Sequence, residues 1–181
     1  MILSAPSHTA RTLAACAGLT AMLMLTASCS SPTREYAVPT DLCGVKVAAS
    51  ALEPVLPPGE KVSLHPSDVG GNKRCRLHVD DESALSASIE PWEKDATAQD
   101  VARVALDVDP ADTPSKDRRF LYSKKGAVGR VECPDANSSD QLLWATVRVT
   151  HDDATEAEMH KLIAAYADAV PTSGACSDRL K

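Results

Sequence analysis

Six cysteines and five histidines are the residues through which this chain of 181 could do chemistry. Cys43, Cys75, Cys133 and Cys176 fall in no CxxC or His-paired spacing, so they do not read as a zinc site. An even set in an exported chain reads instead as two disulfides. The sharpest acid–base cluster is "HDD", His151 to Asp153, which could hold a cation or serve a hydrolase together with a distant acid. It also stands where a strand runs into an acidic helix start, a place the helix dipole reserves for carboxylates. That second reading is preferred. His65, His78 and His160 are scattered, and "DDES", Asp80 to Ser83, lacks the glycine and spaced carboxylates of a calcium loop. No GxSxG, phosphate-binding loop, GxGxxG or HExxH occurs. The expectation is a non-enzymatic protein with no catalytic residue, no metal and no cofactor.

The other two cysteines carry a different chemistry. Residues 13–26 form an uncharged run behind a polar leader whose one charged side chain is Arg11. The pattern is that of a secretory signal peptide, and the run is shorter than the ~20 residues a spanning helix needs. Cys16 leaves with it. At its end stand two small residues and Cys29, in "LTASC". This resembles the lipobox of bacterial lipoproteins, which implies that Cys29 is diacylated and becomes the first residue of the mature chain. Thr26 departs from the lipobox pattern, whose usual leucine falls one place early at Leu25. Two acyl chains hold a protein on a membrane firmly where one does not. Expected organisation is therefore a signal peptide over 1–28, a lipidated cysteine and flexible tether over 29–40, and one domain over 41–181. The expected address is the extracytoplasmic face of the cell membrane.

Removing 1–28 leaves 153 of the 181 residues, enough for a single core, and takes the net charge from −6 to −7 with the loss of Arg11. An acidic balance argues against nucleic acid or anionic lipid as the main partner. "NKRCR" and "KDRRF" read as solvated strand faces.

The positioning elements follow from periodicity. Helical stripes appear at Leu42, Val45, Ala49, Leu52 and Leu56; at Val101, Val104, Ala105 and Val108; and at Met159, Leu162, Ile163, Tyr166 and Val170. Alternating segments lie between them: "KVSLH", "CRLHV", "ALSASIE", "RFLYS", "GRVEC" and "LLWATVRV". The order is α-βββ-α-βββ-α, which predicts an α+β fold with an antiparallel sheet of about six strands and three helices. A shift of 58 residues superposes Cys75 on Cys133, Leu85 on Leu143 and Asp95-Ala96-Thr97 on Asp153-Ala154-Thr155, the pattern of an internal duplication. Thr97 with Asp100, and Thr155 with Glu158, are spaced as capping boxes. "DANSSD", Asp135 to Asp140, reads as a hairpin loop.

"DLCGVKVAASALEPVLPPG" followed by "NKRCRLHV", behind a lipobox and a short tether, resembles small actinobacterial secreted lipoproteins of unknown function. The resemblance implies the address and the fold class only. Four cysteines allow three pairings. Cys43–Cys75 would clip the first helix to an inner strand and Cys133–Cys176 would pin the C-terminus, and the resemblance favours the first bond as a unit. Cys75–Cys133 with Cys43–Cys176 remains the rival. Two functions stand open: an interaction module for an unknown protein or small-molecule partner, or a carrier of a small apolar ligand. The carrier would enclose its ligand between Leu142, Trp144, Met159 and Tyr166.

Overall fold

The computed structural model describes residues 33–134 and 140–179. The expected signal peptide, Cys29 and most of the "DANSSD" loop lie outside the described residues. The layout is α+β. Strands β1 (Asp41–Leu42) and β2 (Val45–Lys46) form a small hairpin, followed by the short helix α1 (Ala49–Leu52) and a 3-10 turn at Glu53–Val55. Then come β3 (Val62–Val69), β4 (Asn72–Val79), β5 (Glu82–Glu93) and α2 (Ala98–Ala102). Next are β6 (Thr113–Pro114), β7 (Phe120–Tyr122), β8 (Gly126–Arg130) and β9 (Gln141–Val149). The described chain ends with α3 (Glu156–Ala169), a 3-10 turn at Val170–Ser173 and α4 (Ala175–Arg179). Seven strands make one sheet, in the order β3-β4-β5-β9-β8-β7-β6, with every neighbouring pair antiparallel.

Three two-residue turns set the registers of β1–β2, β3–β4 and β4–β5. Their central pairs, Cys43-Gly44, Gly70-Gly71 and Asp80-Asp81, all have positive φ. That is the backbone of primed hairpin turns, whose twist matches that of the strands they join. The Asp80 carboxylate also accepts the backbone N–H groups of Glu60 and Lys61, at 3.0 and 2.8 Å. "DDES" is thus a turn, as its composition indicates.

The alternation of side chains gives the sheet an inner and an outer face. Cys75, Leu77 and Val79 point inward with Leu85, Ala87, Ile89, Leu143, Ala145 and Val147, all buried in the main core. Helix α3 covers that face with Met159, Leu162, Ile163 and Tyr166, each no more than 2% exposed. It comes close to β8 because Gly129 has no side chain: a Cβ there would lie 2.5 Å from Phe120 Cδ1 and 3.0 Å from Ile163 Cγ1. On the outer face Leu121, Val128 and Trp144 pack under Ala98, Val101 and Ala102 of α2, forming a second, smaller core. Thr97 and Thr155 open α2 and α3 with complete capping boxes.

Several expectations need correction. The expected first helix is a hairpin plus one short turn of helix. Leu42, Val45, Leu52 and Leu56 are buried as the stripe requires, but the positive φ at Cys43 and Gly44 breaks any helix there. The second helix stops at Ala102, leaving Val104 66% exposed. "GRVEC" contributes only its first two residues to β8. The described residues hold nine strands and four helices, not about six and three. Within the 29–40 expected as a flexible tether, Tyr36 is buried in the main core, and the Arg34 guanidinium donates to the carbonyls of Glu53 and Leu56 at 2.8 and 2.7 Å. Glu53 opens the 3-10 turn and Leu56 follows it, so Arg34 braces the turn at both ends.

The 58-residue shift carries β5 onto β9, which lie side by side with Ser88 opposite its counterpart Thr146. It also carries one capped helix start onto the other. The helices themselves pack against opposite faces of the sheet, and α1 meets no helix at its counterpart positions 107–110. The shift relates strands and caps, not layers.

Candidate functional site

The four described cysteines form the disulfides Cys43–Cys75 and Cys133–Cys176, with Cα atoms 5.7 and 5.6 Å apart. Both bonds sit on the inner side. Cys43 lies in the β1–β2 turn, not at a helix start, so the first bond fastens that hairpin over β4. The second fastens α4 to the segment after β8.

The four side chains expected to line one cavity do not meet. Trp144 and Leu142 belong to the outer face, while Met159 and Tyr166 belong to the inner one. Leu142 is two residues from Trp144 on the same strand, so period-two alternation puts both across the sheet from α3. Leu142 and Trp144 border an outer hollow of about 550 Å³ shared with Lys94 and Arg130. Met159 is fully buried packing.

Tyr166 does line a cleft, of about 320 Å³, opening between the β1–β2 hairpin and the ends of β3 and β4. Its floor is apolar: Leu42, Val45, Ile89 and the Cys43–Cys75 bond. Its rim is polar, with Asp68, Lys73 and Ser173. Lys73 pairs with Asp178 of α4 at 3.2 Å. Tyr166 is 2% exposed, and its hydroxyl has no hydrogen-bond partner among the described residues. Burial pushes that hydroxyl far above the ordinary tyrosine range, so it stays protonated. A neutral O–H in an apolar wall can offer one directed hydrogen bond to an occupant.

"HDD" is fastened rather than poised. His151 Nε2 meets the Val55 carbonyl, so that nitrogen carries the proton, and Nδ1 is buried. Asp153 lies 3.9 Å away, and Asp152 pairs with Lys125 at 2.5 Å. The imidazole straps the start of α3 to the 3-10 turn below it. Among the described residues no three His, Cys, Asp or Glu side chains are grouped to hold a metal ion. None of their helices is long and apolar enough to cross a membrane.

The chain matches no protein-family model, no curated protein and no solved structure. Function is therefore read from the residues themselves. Of the cleft's lining, Tyr166 alone is among the residues expected from the sequence to contact a ligand. Leu42 and Val45 were assigned to a helix, and the signal against it was the pair Cys43-Gly44 after Asp41. The Asp41 carboxylate accepts the Gly44 N–H at 2.7 Å, a local bond that favours a turn over a helix.

Proposed function

We propose that this protein is a lipid-anchored, extracytoplasmic and non-enzymatic binding module. Cys29 is its attachment point, and its relation to the small actinobacterial secreted lipoproteins belongs to the same reading. The ligand is small and largely apolar, with one acceptor for the Tyr166 hydroxyl, and it occupies the cleft over Leu42, Val45 and Ile89. The single observation behind this is the unpartnered hydroxyl of Tyr166 in a predominantly apolar cleft. A hydroxyl in the cleft wall that no protein group engages can donate to the acceptor of an occupant. The cleft's volume is at the low end of the ~300–1,000 Å³ usual for small-molecule sites, which points to a compact ligand. The polar rim would orient it.

Native mass spectrometry of the full chain, extracted gently from its own membranes, tests the binding. The expected spectrum shows a diacyl mass on the protein and a second, non-covalent mass that organic solvent removes. Tyr166→Phe keeps the ring and deletes the donor, so it should lose the second mass and keep the first. A chain carrying no ligand in either form would overturn the binding reading. Cys29→Ala that remains membrane-bound with normal mobility would overturn the anchor.

A further inference from the structure

The outer face of β3 and β4 is lined by exposed polar residues, and α2 borders that of β5 through Val101; the residue types there are unlike those of the rest of a chain with net charge −6. Two cross-strand rows run over it. Arg76 is opposite Ser86, which is opposite Arg148; Arg74 is opposite Ser88, which is opposite Thr146. Arg74 and Arg76 stand about 7 Å apart along β4, and Arg148 lies two strands across, about 10 Å away. These long side chains can reach one bound group. Among the described residues neither Arg74 nor Arg76 has a hydrogen bond or ion pair, while Arg148 is held by the Asp107 carboxylate. The other acid there, Glu90, accepts the Ser88 hydroxyl at 3.3 Å.

These rows floor a trough of about 250 Å³, and the segment after α2 forms its wall. That wall supplies Val104 and Leu106, exposed at 66% and 68% on the same trough. Guanidinium forks beside hydroxyls match a tetrahedral oxyanion, and the apolar rim matches what hangs from it. We propose that this trough binds the phosphate group of a phosphate ester bearing a hydrocarbon substituent, with Arg76 and Arg74 on the phosphate and Val104 and Leu106 against the substituent. The negative total charge conceals this because it averages over both faces. Arg74 borders both this trough and the Tyr166 cleft, whereas Arg76 borders the trough and not the cleft, so substitutions at Arg76 test the trough separately.

The test uses the full chain in neutral detergent and follows its melting temperature during titration. The probes are dihexanoylphosphatidic acid, inorganic phosphate, and dihexanoylphosphatidylcholine as the neutral-headgroup control. Saturable stabilisation is expected with phosphatidic acid, since a ligand that binds only the folded state raises its stability. Arg76→Ala should weaken it at least about tenfold, Arg76→Lys less, because a charge-assisted fork is lost in the first and only its geometry in the second. Leu106→Ser should weaken the lipid and leave inorganic phosphate unchanged. If inorganic phosphate does as well as the lipid and still needs Arg76, the phosphate site stands and its source is a free phosphate. Arg76→Ala binding like the unaltered chain, or sodium chloride of equal ionic strength giving the same shift, would overturn the assignment. Arg76 is exposed, and Arg76→Ala melting like the parent without ligand shows that the fold is intact.

Discussion

On β4 the inward residues are Cys75, Leu77 and Val79, and the outward ones between them are Arg74, Arg76 and His78. The inner face is closed by α3, by the β1–β2 hairpin and by both disulfides. The outer face has one five-residue helix over Leu121, Val128 and Trp144, and elsewhere it meets solvent through arginine, serine and histidine. One strand thus carries two instructions at period two. The difference separates tasks: most of the core lies on the inner side, which leaves the exposed outer arginines of β4 free of packing constraints.

Breaking the inner side should therefore cost most. The disulfides close separations of 32 and 43 residues, each worth about 4 kcal/mol in the chain-entropy model. Paired Cys→Ser replacements at either bond should lower the unfolding free energy, read from urea titration, by that order. A loss below ~1 kcal/mol at both bonds would mean that the inner face holds without its clips. Next comes Leu162→Ala, at a fully buried position of α3, with an expected cost of ~2–5 kcal/mol. Its outer counterpart, Val104→Ser, should stay within about 0.5 kcal/mol. Equal costs in the same urea series would erase the contrast between the faces.

This contrast was visible in the sequence where alternation or the helical period ran unbroken. The inward sets of β4, β5 and β9 and the stripe from Met159 to Tyr166 were legible because each is written many times over. The hairpin at Cys43-Gly44 was not, because Leu42, Val45, Ala49, Leu52 and Leu56 satisfy a helix just as well. Only local backbone conformation decides between the two. Which element covers Trp144 was hidden, since α2 presents just Ala98, Val101 and Ala102 and its direction across the sheet is a tertiary fact. The arginines of β4 were read correctly as a solvent face. What they share a surface with required the register to Ser86, Ser88 and Arg148.

Trp144 sharpens the comparison from the outer side. Its indole N–H is buried without a hydrogen-bond partner among the described residues, at a cost of about 1–3 kcal/mol. Trp144→Phe removes that cost and loses some packing, so stability should change by less than ~1 kcal/mol. A loss above 2 kcal/mol in thermal or urea unfolding would show that the outer core needs the whole indole.

Modest effects are also expected at the two helix starts, which share one chemistry on opposite faces. Thr155→Ala should cost about 1 kcal/mol and Thr97→Ala no more, since the longer α3 carries more packing that depends on its first turn. Each cap also has a pH dependence with a fixed sign. The Glu158 carboxylate is held below its ordinary range by the Thr155 backbone N–H and then by the Thr155 hydroxyl. Asp100 is lowered chiefly by the Thr97 hydroxyl, with the backbone N–H second. A carboxyl whose pKa is lower folded than unfolded stabilises the fold above the unfolded value, and that share is lost as pH falls through the folded one. Both first turns should therefore loosen as acid is added through and below the usual carboxylate range. Both carboxylates are exposed, so water and salt screen the effect and keep it small. Amide hydrogen exchange of residues 98–102 and 156–160 across that range reads it directly. Glu158→Gln should flatten the response at α3 and leave the one at α2 unchanged. A response at α3 that survives Glu158→Gln would place the acid-sensitive group elsewhere on the inner face.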